Sequence, residues 1–147
     1  HIRMGDKVQG PRKECVATPL DVYVQATAAA LSQSCTREVF VCGDDPSALT
    51  AFAAAAIGVT GCVHHKPPRP SPAGERSGHW QDDFNGSTAE QRHELTLDFL
   101  SDVELLANAA VAIVTFSSNV GRLVALLRES RGAGATVSVD GQEWRSN

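Results

Sequence analysis

Residues 102–131, DVELLANAAVAIVTFSSNVGRLVALLRESR, constrain this chain more than any other stretch. They read as the end of a helix, a buried strand over 111–115, a polar turn Phe116-Ser117-Ser118-Asn119, and a second helix. Ser118 or Asn119 can cap that helix by accepting bonds from its orphan N–H groups. The same N–H groups, at the positive end of the helix dipole, make a seat for phosphate. A capping turn and an anion seat are therefore both open at this point.

The other elements bear on which it is. At 147 residues the chain is one domain's worth and can bury a core. Its net charge of −4 argues against a broad basic face for nucleic acid. A small anionic ligand needs only a few local donors. No apolar run reaches the roughly 18 residues that span a bilayer. Because the chain opens on His1 and directly on a motif, it reads as a piece of something longer, its localisation signals outside it. The cysteines Cys15, Cys35, Cys42 and Cys62 show no CxxC spacing, and Cys42 reads as a small core residue.

Residues 1–7, HIRMGDK, look like the tail of a strand entering a loop. A helix follows from Pro19, with Thr18 as its cap and Leu20, Tyr23, Val24, Thr27 and Leu31 on one face. The apolar run 39–42 is a strand, and Asp44-Asp45-Pro46-Ser47 opens the next helix. Residues 59–63 form a second strand. Residues 64–86, rich in Pro, Gly and charge, read as a long surface loop. Ser87-Thr88-Ala89-Glu90 has the capping-box pattern and opens a helix with Leu95, Phe99, Leu100, Val103, Leu106 and Ala110 on its apolar side. Gly132 and Gly134 stop the helix after the Ser-Ser-Asn turn, and 136–139 is a last strand. Strands that alternate with helices and are apolar on both faces predict an α/β fold: a mostly parallel sheet covered on both sides. In such a sheet the ligand crevice lies beyond the C-terminal strand ends. Residues 1–7, Asp44, Asp45 and 115–119 all emerge there.

Together these stretches supply an imidazole, a guanidinium and an ammonium (His1, Arg3, Lys7), carboxylates, and the turn. Arg3 offers a bidentate fork for phosphate, with Lys7 a point charge beside it. A carboxylate such as Asp102 can accept paired N–H bonds from a guanine edge.

The order HIRMGDK, then VFVCGDDPSAL, then DVELLANAAVAIVTFSSNVGR resembles the α-1,6-fucosyltransferases that core-fucosylate N-glycans, with their rhizobial chitin-oligosaccharide relatives. Their versions read HxRRxDK, a DDPS turn after an apolar strand, and an Asp thirteen residues before TFSSQ. Asp102 to Thr115 has that spacing, which Asp98 does not. Glu14, five residues before Pro19, resembles the family's E-x4-P. The resemblance runs from His1 to about Arg131 and is weakest in 64–86.

It implies the C-terminal, Rossmann-like half of a GT-B glycosyltransferase. The donor would be GDP-β-L-fucose, the acceptor a glycan such as the N-glycan core, and the transfer inverting, with no metal or other cofactor. His1 and Asp102 would contact guanine, while Arg3, Ser117, Ser118 and Asn119 would hold the diphosphate. Glu14 would be the base on the acceptor hydroxyl, beside Lys7, with Asp6, Asp44 and Asp45 in support. A full-length eukaryotic member would work in the Golgi lumen, attached to the membrane only through an N-terminal anchor.

The sequence departs from the family in places. Met4 stands where the second Arg is expected, and Asn119 replaces Gln. Val114 and Gly121 occupy the places of the cysteine pair that flanks the turn in animal members. A non-catalytic nucleotide-binding module of the same fold is the alternative. The segment from Lys66 to Pro72 has polyproline character and suggests a solvated loop or, as a third reading, a protein-interaction site. Cys62, His64 and His65 lack a partner at zinc-like spacing. Trp80 and Trp144 read as packing residues or loop anchors. Ser117 lacks the elbow of a nucleophile.

Overall fold

The computed structural model describes residues 1–34, 37–65 and 78–144. The chain is α/β. Among the described residues there are four short strands, β1 (Glu38–Phe40), β2 (Cys62–His64), β3 (Ala112–Val114) and β4 (Thr136–Ser138). The helices are α1 (Leu20–Leu31), α2 (Pro46–Ala56), α3 (Gln81–Gly86), α4 (Ala89–Asn108) and α5 (Asn119–Ser130). In place of one continuous sheet there are two parallel pairs, β1 with β2 and β3 with β4.

The first two residues run between the pairs. Ile2 donates its N–H to Cys42 O at 2.9 Å and bridges Gly43 in parallel register, while the amino group of His1 donates to Ile113 O at 2.8 Å. His1–Ile2 is thus the strand tail expected from the sequence, and it seams the two pairs side by side.

Alternate residues of a strand face opposite sides. Val41 joins Ile2, Tyr23, Leu49 and Phe52 in a cluster under α1 and α2. Its neighbour Cys42 joins Val103, Leu106, Val114 and Val124 under α4 and α5. The strands therefore carry helices on both faces, as their two-sided apolar pattern implies, and Cys42 is the core residue it was taken for.

Local signals set the helix starts with small shifts. Asp45 caps α2, accepting from Ser47 N at 2.9 Å, with Pro46 at the first position. At α4 the capping box is Thr88 with Gln91, one residue later than Ser87 with Glu90, because both Thr88 and Gln91 satisfy the reciprocal bonds. Pro19 holds the cap position of α1 and Thr18 does not cap it. The segment expected as loop over 64–86 also needs correction. His64 ends β2, and Gln81–Gly86 form a short helix with Asp82 and Asp83 at its positive end. The polyproline stretch lies outside the described residues, as does Cys35.

The apolar side of α4 is only half used. Val103 and Leu106 are buried, whereas Leu95, Phe99 and Leu100 are exposed. The reason is length: α4 has 20 residues against 12 in α5, so about 30 Å of helix lies against about 18 Å. Among the described residues no helix is long and apolar enough to cross a membrane.

Two contacts fix α5. An added Cβ on Gly121 would lie 2.0 Å from Thr115 O, so only glycine lets this helix approach its strand so closely. Arg128, 1% exposed, sends its guanidinium to the carbonyls of Leu106, Ala107, Ala109, Ala110 and Ala135 and to Thr136 Oγ1. It closes the open C-terminal end of α4 and ties it to β4.

Candidate functional site

Within each pair the strands are parallel and release their chains at the same end, and the His1–Ile2 seam runs parallel to the chain leaving β1. The loop after the seam is organised by Asp44, which accepts Met4 N at 2.7 Å and Gly5 N at 3.0 Å. Gly5 is confined further: an added Cβ would lie 2.2 Å from His79 O. Arg3 bridges two carboxylates, Asp6 at 2.9 Å and Asp44 at 2.8 Å, whose side chains are 4% and 7% exposed. Asp6 also accepts from Gln81 N at 3.3 Å, which fastens α3 to this loop. Asp45 serves α2 as its cap. Met4 packs its side chain against the α1/α2 cluster.

Removing the Arg3 guanidinium leaves Asp6 and Asp44 facing each other without their shared cation. Both keep amide donors, so Arg3→Ala is expected to cost about 2 kcal/mol rather than the full penalty of a stranded buried charge. Denaturant unfolding of the variant checks this, and an unchanged midpoint refutes it.

The loop continues to the candidate base. Glu14 N and Cys15 N both donate to Lys7 O, at 2.8 and 3.1 Å, and Lys7 Nζ pairs with Glu14 Oε1. The backbone fold of 7–15 thus brings ammonium and carboxylate together. Glu14 then shares an open cleft of about 580 Å³ with Ser117, Asn119, Arg122 and Asp140. Residues separated by about a hundred positions in the chain meet in one concavity.

The turn itself differs from the sequence expectation. Ser118 is buried at the N-cap position of α5, but its hydroxyl makes no cap bond, and Asn119 is the first helical residue. A carboxylate from the end of β4 supplies the acceptor for the turn instead. Asp140 takes Phe116 N at 3.2 Å, Ser117 N at 2.7 Å and the Ser138 hydroxyl at 2.6 Å. Burial pushes the Asp140 carboxyl up. The hydrogen bonds from Ser117, Ser138 and the Phe116 amide outweigh that and hold it down at about 2, below its ordinary 3.8. Its folded value is the lower one, so its contribution is fully present above the unfolded value and is lost as pH falls through about 2. Asp140→Asn is therefore expected to remove part of the acid-induced loss of stability between about pH 4 and 2. Urea midpoints across that range check it; parallel profiles for the two proteins would contradict it.

His1 and Asp102 form a separate group on the seam. The amino group of His1 is buried, which lowers its proton affinity, while Cys42 and Asp102 act in the opposite sense. His1 Nδ1 and Asp102 Oδ1 are both shielded from solvent, and His1 Nδ1 meets no hydrogen-bond partner among the described residues. These two residues lie near each other but do not line the cleft of Glu14 and Ser117.

Three residues that the sequence does not place at the site, Tyr23, Arg122 and Asp140, emerge around it. Tyr23 is buried, and its hydroxyl interacts with Thr115, Thr18 and the Arg3 backbone. Burial pushes its pKa up to about 12 despite the lowering effect of those bonds. It therefore supports the turn, the Glu14 loop and the Arg3 loop from beneath. Arg122 lines the cleft and donates Nε to Phe116 O at 2.6 Å. Asp140 was legible in one respect: an Asp-Gly pair ends the last apolar run, as Gly43-Asp44 ends the first. Trp144 rests on Phe116 with ring centroids 6.2 Å apart, and Trp80 abuts Gly10, so both act as loop anchors.

Chemically, the cleft offers a carboxylate able to accept a proton, an adjacent ammonium, and a helix N-terminus with a guanidinium at its side. No known family, curated protein or solved structure matches the chain.

Proposed function

We propose that this chain is the donor-binding half of a GT-B glycosyltransferase resembling the α-1,6-fucosyltransferases. Its two parallel strand pairs would belong to a Rossmann-like sheet, and GDP-β-L-fucose would be the donor. One observation carries the reading: Glu14, paired with Lys7, shares a single cleft with Ser117 and Asn119 at the start of α5. The proposed base and the proposed anion seat thus share one concavity, which supports an inverting transfer.

In the transfer, Glu14 takes the proton of the acceptor hydroxyl as its oxygen bonds to the fucose anomeric carbon. The bond from that carbon to the diphosphate oxygen breaks, and GDP leaves with the electron pair. The charge that develops on the diphosphate is met by the N-terminus of α5 with Ser117, Ser118 and Asn119. Lys7 holds Glu14 in place, and Arg3 with Asp6, Asp44 and Asp45 shapes the loop that presents the pair. The shielded His1 Nδ1 beside Asp102 supports a seat for the guanine edge.

A second reading, a nucleotide-binding module without turnover, is favoured by Met4. Its side chain lies against the apolar cluster, where the related enzymes have a second guanidinium. Titration of the full chain with GDP, GDP-fucose and UDP, followed by a transfer assay on a GlcNAc-terminated glycan, separates the two. Guanine-selective binding with transfer supports the enzyme, binding without transfer the module. No heat from GDP or GDP-fucose sinks both.

A further inference from the structure

A diphosphate held without a metal needs cationic partners, and the cations first suggested by the sequence already have theirs. Arg3 gives one end of its guanidinium to Asp6 and the other to Asp44. Lys7 is paired with Glu14. Met4 offers no charge. The amides of Phe116 and Ser117, the first donors of the turn, already bond the Asp140 carboxylate. Arg122 is in a different condition. It lines the cleft with Ser117 and Asn119, and its one side-chain hydrogen bond among the described residues is from Nε to Phe116 O. Its two terminal nitrogens have no protein acceptor there. The group is half-buried and anchored at Nε, so less side-chain freedom remains to be lost when it grips a ligand. It also sits in the first turn of α5, at the positive end of the helix dipole, a disfavoured place for a cation that a bound anion relieves.

We propose that Arg122 carries the charge of the diphosphate in this cleft, the role that the resemblance assigns to Arg3, while Arg3 serves to shape the loop. This rests on the nucleotide reading above and adds a specific phosphate ligand to it. Planar, two-point contact with phosphate oxygens is what a guanidinium with both terminal nitrogens open can provide.

The test is calorimetric titration of the full chain and of Arg122→Gln with three probes: GDP, inorganic pyrophosphate and guanosine. The expected result is a loss of at least about tenfold in affinity for GDP and pyrophosphate, with guanosine affinity unchanged. Arg122→Lys, which keeps the charge but not the fork, should fall between the two, and it replaces the Gln variant if that one does not fold. GDP affinity retained within roughly twofold overturns the role of Arg122 and leaves the nucleotide reading standing. An equal loss for guanosine overturns it as well, since the damage is then to the fold. Arg122-dependent pyrophosphate binding with no preference for GDP keeps the anion site and removes the nucleotide reading. Failure of the unaltered chain to bind either phosphate probe overturns both.

Discussion

Arg128→Met is expected to destabilise the chain by at least about 3 kcal/mol, a large part of the 5–15 kcal/mol available to a domain. The guanidinium is almost fully buried, yet all its partners are carbonyl oxygens and one hydroxyl. Burial lowers its pKa for want of a compensating anion. What favours the charge is the negative end of α4, where Ala107 O has no helical donor and Leu106 O has only the long 3.4 Å bond from Ala109 N. Methionine fills similar space but strands those oxygens, at about 1–3 kcal/mol for each that cannot reach water. A thermal midpoint lowered by about 10 °C or more is the corresponding reading. Arg128→Lys should be intermediate, since one ammonium has three donors for six acceptors. A methionine variant within about 1 kcal/mol of the natural chain would show that water replaces the guanidinium at little cost.

Glu14→Gln is expected to lower turnover of GDP-fucose by about a thousandfold and to leave GDP affinity nearly unchanged. The amide keeps the shape of the side chain and cannot take the acceptor proton. Glu14 lines the cleft from the loop before α1 and not from the turn, so on the proposed reading its loss would remove a transition-state role and leave the phosphate seat in place. Lys7→Ala should lower turnover less, because the carboxylate survives and only its placement suffers. Rates for Glu14→Gln equal to those of the natural chain would assign the base elsewhere. A large loss of GDP affinity would instead mean that Glu14 belongs to the donor site.

How far these features could be read from the residues depended on whether the interaction was local. The caps of α2 and α4, the alternation that puts Val41 and Cys42 in different clusters, and the breaks at Gly132 and Gly134 all arise within a few positions. Each was legible to within a residue. The pairing of Lys7 with Glu14 was foreseeable only as two residues of one loop, since the folding of 7–15 brings them together. Asp140 and Arg128 were invisible as partners, because each acts across the fold on backbone groups that carry no sequence signature. The start of α5 departs from local chemistry in the same way: Ser118 makes no cap bond, and a distant carboxylate after β4 instead binds the Phe116 and Ser117 amides of the preceding turn. The unequal lengths of α4 and α5, and not any single residue, left Leu95 and Leu100 outside the core.

The His1–Ile2 seam bears on cooperativity. The backbone bonds of two residues tie one strand pair to the other, and both apolar clusters cross that seam: Ile113 and Val139 pack against the cluster under α1 and α2, while Phe40 and Cys42 belong to the one under α4 and α5. Because neither pair has a core of its own, the two are expected to open together and not one at a time. On the proposed reading, the residues that follow the seam, Arg3 to Lys7, lead into the loop that places Glu14 on the ligand wall. A nucleotide held between that wall and the start of α5 would therefore bind the joined state in preference to the opened one. By mass action it would suppress the opening, and amide exchange along β1 and β3 would slow together. On that reading, occupancy of the cleft and the unity of the fold would be two views of one equilibrium.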